Sequence, residues 1–162
     1  MEQNRRQFLL SGWKVGGAVL IGAAFYTAYE ALRPLVGGAG GTKLKVGPPD
    51  NFAKNTSTYY PEGRLYVVNA KGDLLALSQK CPHLGCQVPF CESSGRFECP
   101  CHGSIFDLGG EYITGPSPRG MDRYPLEVKG DTVVVDTGTL EAGPDRGAKK
   151  YFEPPQGPSC IK

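Results

Sequence analysis

What this chain has least of narrows it first. Charge of one sign is not in excess: 18 lysines and arginines meet 16 aspartates and glutamates, leaving a net charge of +2. The basic stripe that nucleic-acid binding requires is therefore missing, no strongly acidic partner is indicated, and the scattered cations read as a solvated surface. Histidine is scarce, with His83 and His102 the only pair. Long apolar runs are scarce too, and the one that exists lies near the N-terminus. With 162 residues there is room for one domain and an appendage but not for two full cores. Abundance lies elsewhere. Twenty-three glycines and fourteen prolines point to a loop-rich β domain rather than a helical bundle.

The N-terminus reads Asn4-Arg5-Arg6-Gln7-Phe8-Leu9-Leu10 and continues into an uncharged apolar run from Val15 to Tyr29. Adjacent arginines before a Phe-Leu pair resemble the core of a twin-arginine export signal. The run alone fits the apolar region of a cleavable signal. Extended from Gly12 to Leu32 it makes roughly 31 Å of helix at about 1.5 Å per residue, enough to span a bilayer with Lys14 and Glu30 snorkelling at its edges. No clear small-x-small cleavage site follows, so an uncleaved anchor is expected. Basic residues flank both ends (Arg5, Arg6 and Lys14 against Arg33, Lys43 and Lys45), so charge does not fix the orientation. Pro34 is expected to end the helix. Gly37-Gly38-Ala39-Gly40-Gly41 follows, readable either as an ordinary spacer or as a hinge.

From Arg64 onward the pattern is β. Leu65-Tyr66-Val67-Val68 and Leu74-Leu75-Ala76-Leu77 flank Lys71-Gly72-Asp73, and Pro125–Lys129 alternates before Gly130-Asp131 turns it back into Thr132–Val135. An all-β antiparallel sandwich is expected, with the cysteine-rich segment inserted as a small lobe. The Gly/Pro-rich tail after Gly138 is expected to be irregular.

Six cysteines make an unusual inventory. Cys81, Cys86, Cys99 and Cys101 crowd together with both histidines, Cys91 lies between them, and Cys160 lies near the C-terminus. A cytosolic chain groups thiols this way mainly to bind metal, whereas an exported one also pairs them. Two loops carry the chemistry: Cys81-Pro82-His83-Leu84-Gly85-Cys86 and Cys99-Pro100-Cys101-His102-Gly103-Ser104. Cys-x-His and Cys-x-x-His each deliver one thiolate and one imidazole. From those four ligands alone, a mononuclear Cys₂His₂ zinc site stands open.

The complete loops resemble the Rieske iron–sulfur subunit of cytochrome bc-type quinol–cytochrome c oxidoreductases, in which Cys-x-His-x-Gly-Cys pairs with Cys-x-Cys-His-Gly-Ser. The resemblance implies one [2Fe–2S] cluster, with Cys81 and Cys99 on the buried iron and His83 and His102 on the outer one. It implies a Cys86–Cys101 disulfide tying the loops, and Ser104 donating a hydrogen bond to a cluster sulfide. Replacing two thiolates by neutral imidazoles makes the cluster less negative and raises its potential. The disulfide argues for an oxidising compartment and so places the domain outside the cytoplasm. Gly115-Pro116-Ser117-Pro118 is similar to the Gly-Pro-x-Pro loop that covers the cluster in this family, although Gly-Pro also punctuates ordinary surface turns. One departure stands out. High-potential members carry a tyrosine two residues after the serine, where this chain has Phe106. Cys91 and Cys160 are left over, to pair with each other across the lobe or to remain free; two leftover thiols in an exported chain favour pairing slightly.

Three classes share parts of this pattern. Ferredoxins of ring-hydroxylating dioxygenases usually lack the Cys86/Cys101 pair and any anchor. The Rieske subunit of an arsenite oxidase-type molybdoenzyme typically departs at the position of Gly103 and lacks Gly-Pro-x-Pro. The quinol-oxidising class retains both features. For that class the resemblance implies a cytochrome b subunit, a c-type cytochrome and quinol as partners, within a dimeric multi-subunit membrane complex. His102 is the candidate for quinol contact and His83 the alternative, and menaquinol is the quinol chosen. The chain is thus expected to divide into a cytoplasmic segment 1–11, a transmembrane anchor 12–33, a Gly-rich hinge 34–47, a Rieske domain 48–138 and a tail 139–162. The expected location is a prokaryotic plasma membrane, with the domain on the extracytoplasmic face.

Overall fold

A computed structural model describes residues 4–32 and 43–161, in two compact units that divide near residue 40. Among the described residues the first unit holds one helix, α1, Arg5–Leu32. Its stretch Gln7–Ala31 is 25 residues long with a mean hydropathy of 1.6, long and apolar enough to cross a membrane. Its large side chains, Trp13, Leu20 and Phe25 among them, are exposed. A helix apolar around its circumference has no single face to bury against a core, which fits a membrane span. It starts seven residues before the expected Gly12 because Phe8, Leu9, Leu10 and Trp13 carry the apolar character past Lys14. Arg33, Pro34 and the Gly37–Gly41 segment lie outside the described residues.

The second unit holds eleven strands in three antiparallel sheets. One sheet joins β1 (Lys43–Gly47), β11 (Thr132–Asp136) and β10 (Leu126–Lys129) in that order. A central sheet runs β2 (Thr56–Tyr60), β3 (Leu65–Ala70), β4 (Asp73–Ser78), β9 (Arg123–Tyr124). The third is built from shorter strands: β5 (Phe90–Cys91), β6 (Arg96–Glu98), β7 (Ile105–Phe106) and β8 (Tyr112–Thr114).

Successive side chains of a strand point to opposite faces, and the central sheet uses both. Leu65, Val67 and Ala76 pack on one side with Val46, Phe52, Val133 and Val135. Tyr66, Val68 and Leu77 pack on the other with Cys81, Val88, Phe97, Cys99, Phe106 and Met121. That is why β3 reads as an unbroken apolar run instead of alternating. The β3–β4 hairpin turns at Lys71-Gly72 and the β10–β11 hairpin at Gly130-Asp131, where the expected turns lie.

Residues 43–47 depart from the expected hinge at 34–47. They form β1, pairing Leu44 with Val135 and Lys45 with Val134. Leu44 and Val46 turn towards the core and Lys43 and Lys45 towards water, a period of two that the neighbouring glycines masked. The segment after β11 forms no strand, only single bridges such as Arg119 with Asp145 and Arg123 with Glu141, yet it lies against the domain along much of its length.

Candidate metal centre

Two loops with one backbone plan build the site. In the first, which leads from β4 towards β5, the Cys81 amide donates to the Cys86 carbonyl at 2.7 Å and the Gly85 amide to the Cys81 carbonyl at 2.9 Å. In the second, between β6 and β7, the Cys99 amide donates to the Ser104 carbonyl at 2.8 Å and Gly103 to the Cys99 carbonyl at 3.1 Å. Each loop therefore closes on its own cysteine. Closure needs a left-handed residue at the fifth position, which Gly85 (φ 78°) and Gly103 (φ 71°) supply. The first cysteine of each loop points inward, and the imidazole, two or three residues later, faces outward.

The resulting arrangement is sorted by depth. Cys81 and Cys99 are free thiols, 3% and 2% exposed. His83 is half-buried and His102 exposed, their rings 5.0 Å apart and edge to face. Cys86 and Cys101 are joined as a disulfide that staples one loop to the other, and their sulfurs lie within 4.8 Å of the Cys99 sulfur. Cys91 and Cys160 are joined as a second disulfide.

The donor set fits a cationic group held on two thiolates and two imidazoles. Burial pushes the Cys81 thiol above its ordinary value; the His83 amide and the Ser104 hydroxyl pull it back, and the adjacent Cys99 adds to the rise. Two buried sulfurs side by side ionise together only with positive charge between them. The disulfide leaves Cys86 and Cys101 unable to ligate, so Cys81 and Cys99 are the cysteines of this lobe with sulfur to offer.

The Gly115–Pro118 loop lies directly on Ser104. A Cβ on Gly115, whose φ is 100°, would press on the Ser104 Cα and stand 2.8 Å from the Gly103 carbonyl oxygen. The Ser117 amide donates to Ser104 Oγ at 3.1 Å, and Ser117 is fully buried. Phe106 is also fully buried, in one cluster with Cys81 and Cys99.

All the residues singled out by the two motifs thus come together in one lobe. Several neighbours were missed. Tyr112 donates its hydroxyl to the Gly115 carbonyl at 2.6 Å. Glu98, 1% exposed, accepts the Ser94 hydroxyl at 2.7 Å, the Ser159 hydroxyl at 2.8 Å and the Cys160 amide at 2.7 Å. Tyr112 reads as an ordinary strand residue, and the tail partners of Glu98 lie 61 and 62 residues further on.

Comparison with known proteins gives a consistent picture. Residues 42–125 match the Rieske [2Fe–2S] domain family. The cytochrome b6-f complex iron-sulfur subunit of Chlorobaculum thiosulfatiphilum is 33% identical over 137 residues, covering 81% of this chain and 74% of that protein. Subunit 1 of the same name from a Nostoc species is 31% identical over 156 residues, covering 85% and 87%. Among solved structures, a cyanobacterial plasma membrane Rieske protein from Synechocystis is 33% identical with a TM-score of 0.46, covering 57% of this chain and 98% of that one.

Proposed function

The chain belongs to the Rieske [2Fe–2S] family, and from that premise we propose that it takes one electron from menaquinol and passes it to a c-type cytochrome. It is an electron-transfer subunit of the cytochrome bc/b6f type, carrying an iron–sulfur cofactor. The observation that carries the proposal is the sorting by depth: two buried thiols and two outward imidazoles on matched loops. Cys81 and Cys99 would hold the cluster's iron through thiolates, and His83 and His102 through imidazoles. The cluster supplies one-electron chemistry at a potential raised by its neutral imidazole ligands.

The chain's own residues do the rest. His102, the more exposed imidazole, presents its unbound ring nitrogen to quinol and takes the proton released as the electron leaves. His83 stands as the second such group. The Gly115–Pro118 loop, seated on Ser104 through Ser117, would hold water away from the thiolates. The second quinol electron goes to a cytochrome b subunit, which forms the other wall of the quinol site. The complex is membrane-bound and dimeric. α1 anchors this chain in the membrane, with the N-terminus in the cytoplasm of a prokaryote and the domain on the extracytoplasmic face of the plasma membrane, where both disulfides persist. The molybdoenzyme alternative is not favoured, since these relatives bear the name of b6-f subunits.

The test is direct. Purified full-length protein should be coloured, contain iron and acid-labile sulfide near two each per chain, and give a reduced EPR signal with mean g of roughly 1.9, as mixed N/S ligation implies. A colourless protein with one zinc would overturn the assignment.

A further inference from the structure

The covering loop Gly115-Pro116-Ser117-Pro118 is poor in means to hold itself down. Its two prolines have no backbone N–H to donate, so it must be fixed through its carbonyls, the amides of Gly115 and Ser117, and whatever donors reach it. The Ser117 amide is committed to Ser104 Oγ, and the Ser117 hydroxyl to the Arg119 carbonyl at 2.8 Å. Both carbonyl donors come from one stacked pair. Tyr112 donates its hydroxyl to the Gly115 carbonyl. The Arg146 guanidinium lies 4.6 Å over the Tyr112 ring and donates both Nε, at 2.8 Å, and Nη2 to the Ser117 carbonyl.

Arg146 comes from the tail, well beyond β11, and is placed there by backbone. Gly120 donates to the Pro144 carbonyl at 2.7 Å, and Arg119 bridges Asp145. Arg119, the other guanidinium beside the loop, is occupied by Asp122 at 2.9 and 3.0 Å. Among the described residues no carboxylate pairs with Arg146, so its donors serve the loop. Ser117 then connects to the site. Its amide occupies one lone pair of Ser104 Oγ, so the loop fixes the hydroxyl to which the family resemblance assigns a hydrogen bond to a cluster sulfide. A donor to the cluster favours the reduced state, in which the acceptor sulfur carries more negative charge.

We propose that Arg146 is a positioning residue for the cluster: by gripping the Ser117 carbonyl from the tail it holds the covering loop on Ser104 and keeps the Ser104 hydroxyl in place as a donor to the cluster. The inference rests on the assignment of the cluster to this site. It assigns to a segment outside the strands a part in setting the reduction potential.

The experiment uses the full-length protein with its cluster, and the variants Arg146→Ala, Arg146→Lys and, as a charge control from the same tail, Lys149→Ala. Iron and sulfide content and the EPR signal report whether the cluster assignment itself holds. Two further readouts test Arg146: amide hydrogen exchange at Ser117, and an EPR-monitored redox titration. Arg146→Ala should keep its iron and exchange the Ser117 amide about tenfold faster. Its reduced-to-oxidised ratio at the native midpoint should fall about threefold, a downward shift of about 30 mV at 59 mV per tenfold. Arg146→Lys, which retains a donor for the Ser117 carbonyl, should move both values back towards the native ones. Lys149→Ala should change neither. An unmoved potential in Arg146→Ala overturns the proposal, as does an equal fall in Lys149→Ala, which would assign the effect to charge alone.

Discussion

The Glu98 carboxylate accepts the backbone amide of Cys160 at 2.7 Å, so the residue next to Cys99 holds the far end of the chain. The same oxygen also takes the Ser159 hydroxyl at 2.8 Å and the Ile161 amide at 3.2 Å, and the other oxygen takes the Ser94 hydroxyl. The Cys91–Cys160 disulfide closes the same junction covalently. Glu98→Gln turns an amide NH₂ towards a ring of donors and should cost about 1–3 kcal/mol. Replacing Cys91 and Cys160 by serine should cost a few kcal/mol more, the upper bound for a loop of this size being about 4. Because both anchors fix one segment, losing them together should cost more than the sum of the two. Urea denaturation of the four combinations measures this coupling, and strict additivity would show that the anchors act independently.

Asp107 and Glu111 predict a pH dependence. Asp107 is 2% exposed, and its Oδ1 accepts the Glu111 amide at 2.8 Å. Burial pushes its carboxyl from the ordinary 3.8 up to about 7; the Glu111 amide pulls the other way and the Glu111 carboxylate adds to the rise. Between about pH 4 and 7 the native state therefore keeps a proton that the unfolded chain has released. Stability from this pair is full below that window and falls as pH rises through it. Asp107→Asn keeps the acceptor for the Glu111 amide and removes the group that ionises. Relative to the native protein it should gain about 1–3 kcal/mol between pH 5 and pH 8, read from urea midpoints. An identical pH profile in the two proteins would remove the Asp107 proton from the account.

Two glycines separate steric from conformational need. Gly85 at φ 78° has nothing within 4 Å of the Cβ position, whereas at Gly115 the obstruction is Ser104 and Gly103 backbone. Gly85→Ala should cost only the left-handed strain, about 1–2 kcal/mol. Gly115→Ala adds a clash that backbone cannot relieve, and should lift the loop from Ser104 at a larger cost in thermal stability. Equal melting temperatures for the two variants would mean that the covering loop yields freely.

What the sequence disclosed and what it withheld divide by distance along the chain. Each metal loop closes within six residues, and the hairpins at Lys71-Gly72 and Gly130-Asp131 carry their turn chemistry locally, so both were legible. Strand β1 was not, because its partner β11 lies at Thr132–Asp136 and its alternation is brief. The strands of the third sheet are two or three residues long, too short to show a period. Arg146 and Glu98 were invisible for another reason. Each is a single polar side chain meeting irregular backbone far away, and nothing in the flanking residues encodes that meeting.

The last prediction concerns Phe106. Its ring is fully buried beside Cys81 and Cys99, and its strand pairs it with Phe97 and Tyr112. A hydroxyl added there enters a filled core, which by itself costs stability, and it must find an acceptor. If the hydroxyl introduced by Phe106→Tyr reaches the Cys81 sulfur, the hydrogen bond is stronger in the reduced state, where the acceptor carries more negative charge. A differential of about 1–1.5 kcal/mol, a fraction of a charge-assisted bond, corresponds to a rise of roughly 40–60 mV at 59 mV per 1.4 kcal/mol. The native potential should accordingly lie below the upper end of the Rieske range, about +300 mV, as a low-potential donor such as menaquinol requires. An EPR-monitored titration of both proteins decides it. A native value already near that limit would count against menaquinol. No rise in Phe106→Tyr, with the new hydrogen bond seen in its crystal structure, would show that this bond does not set the potential.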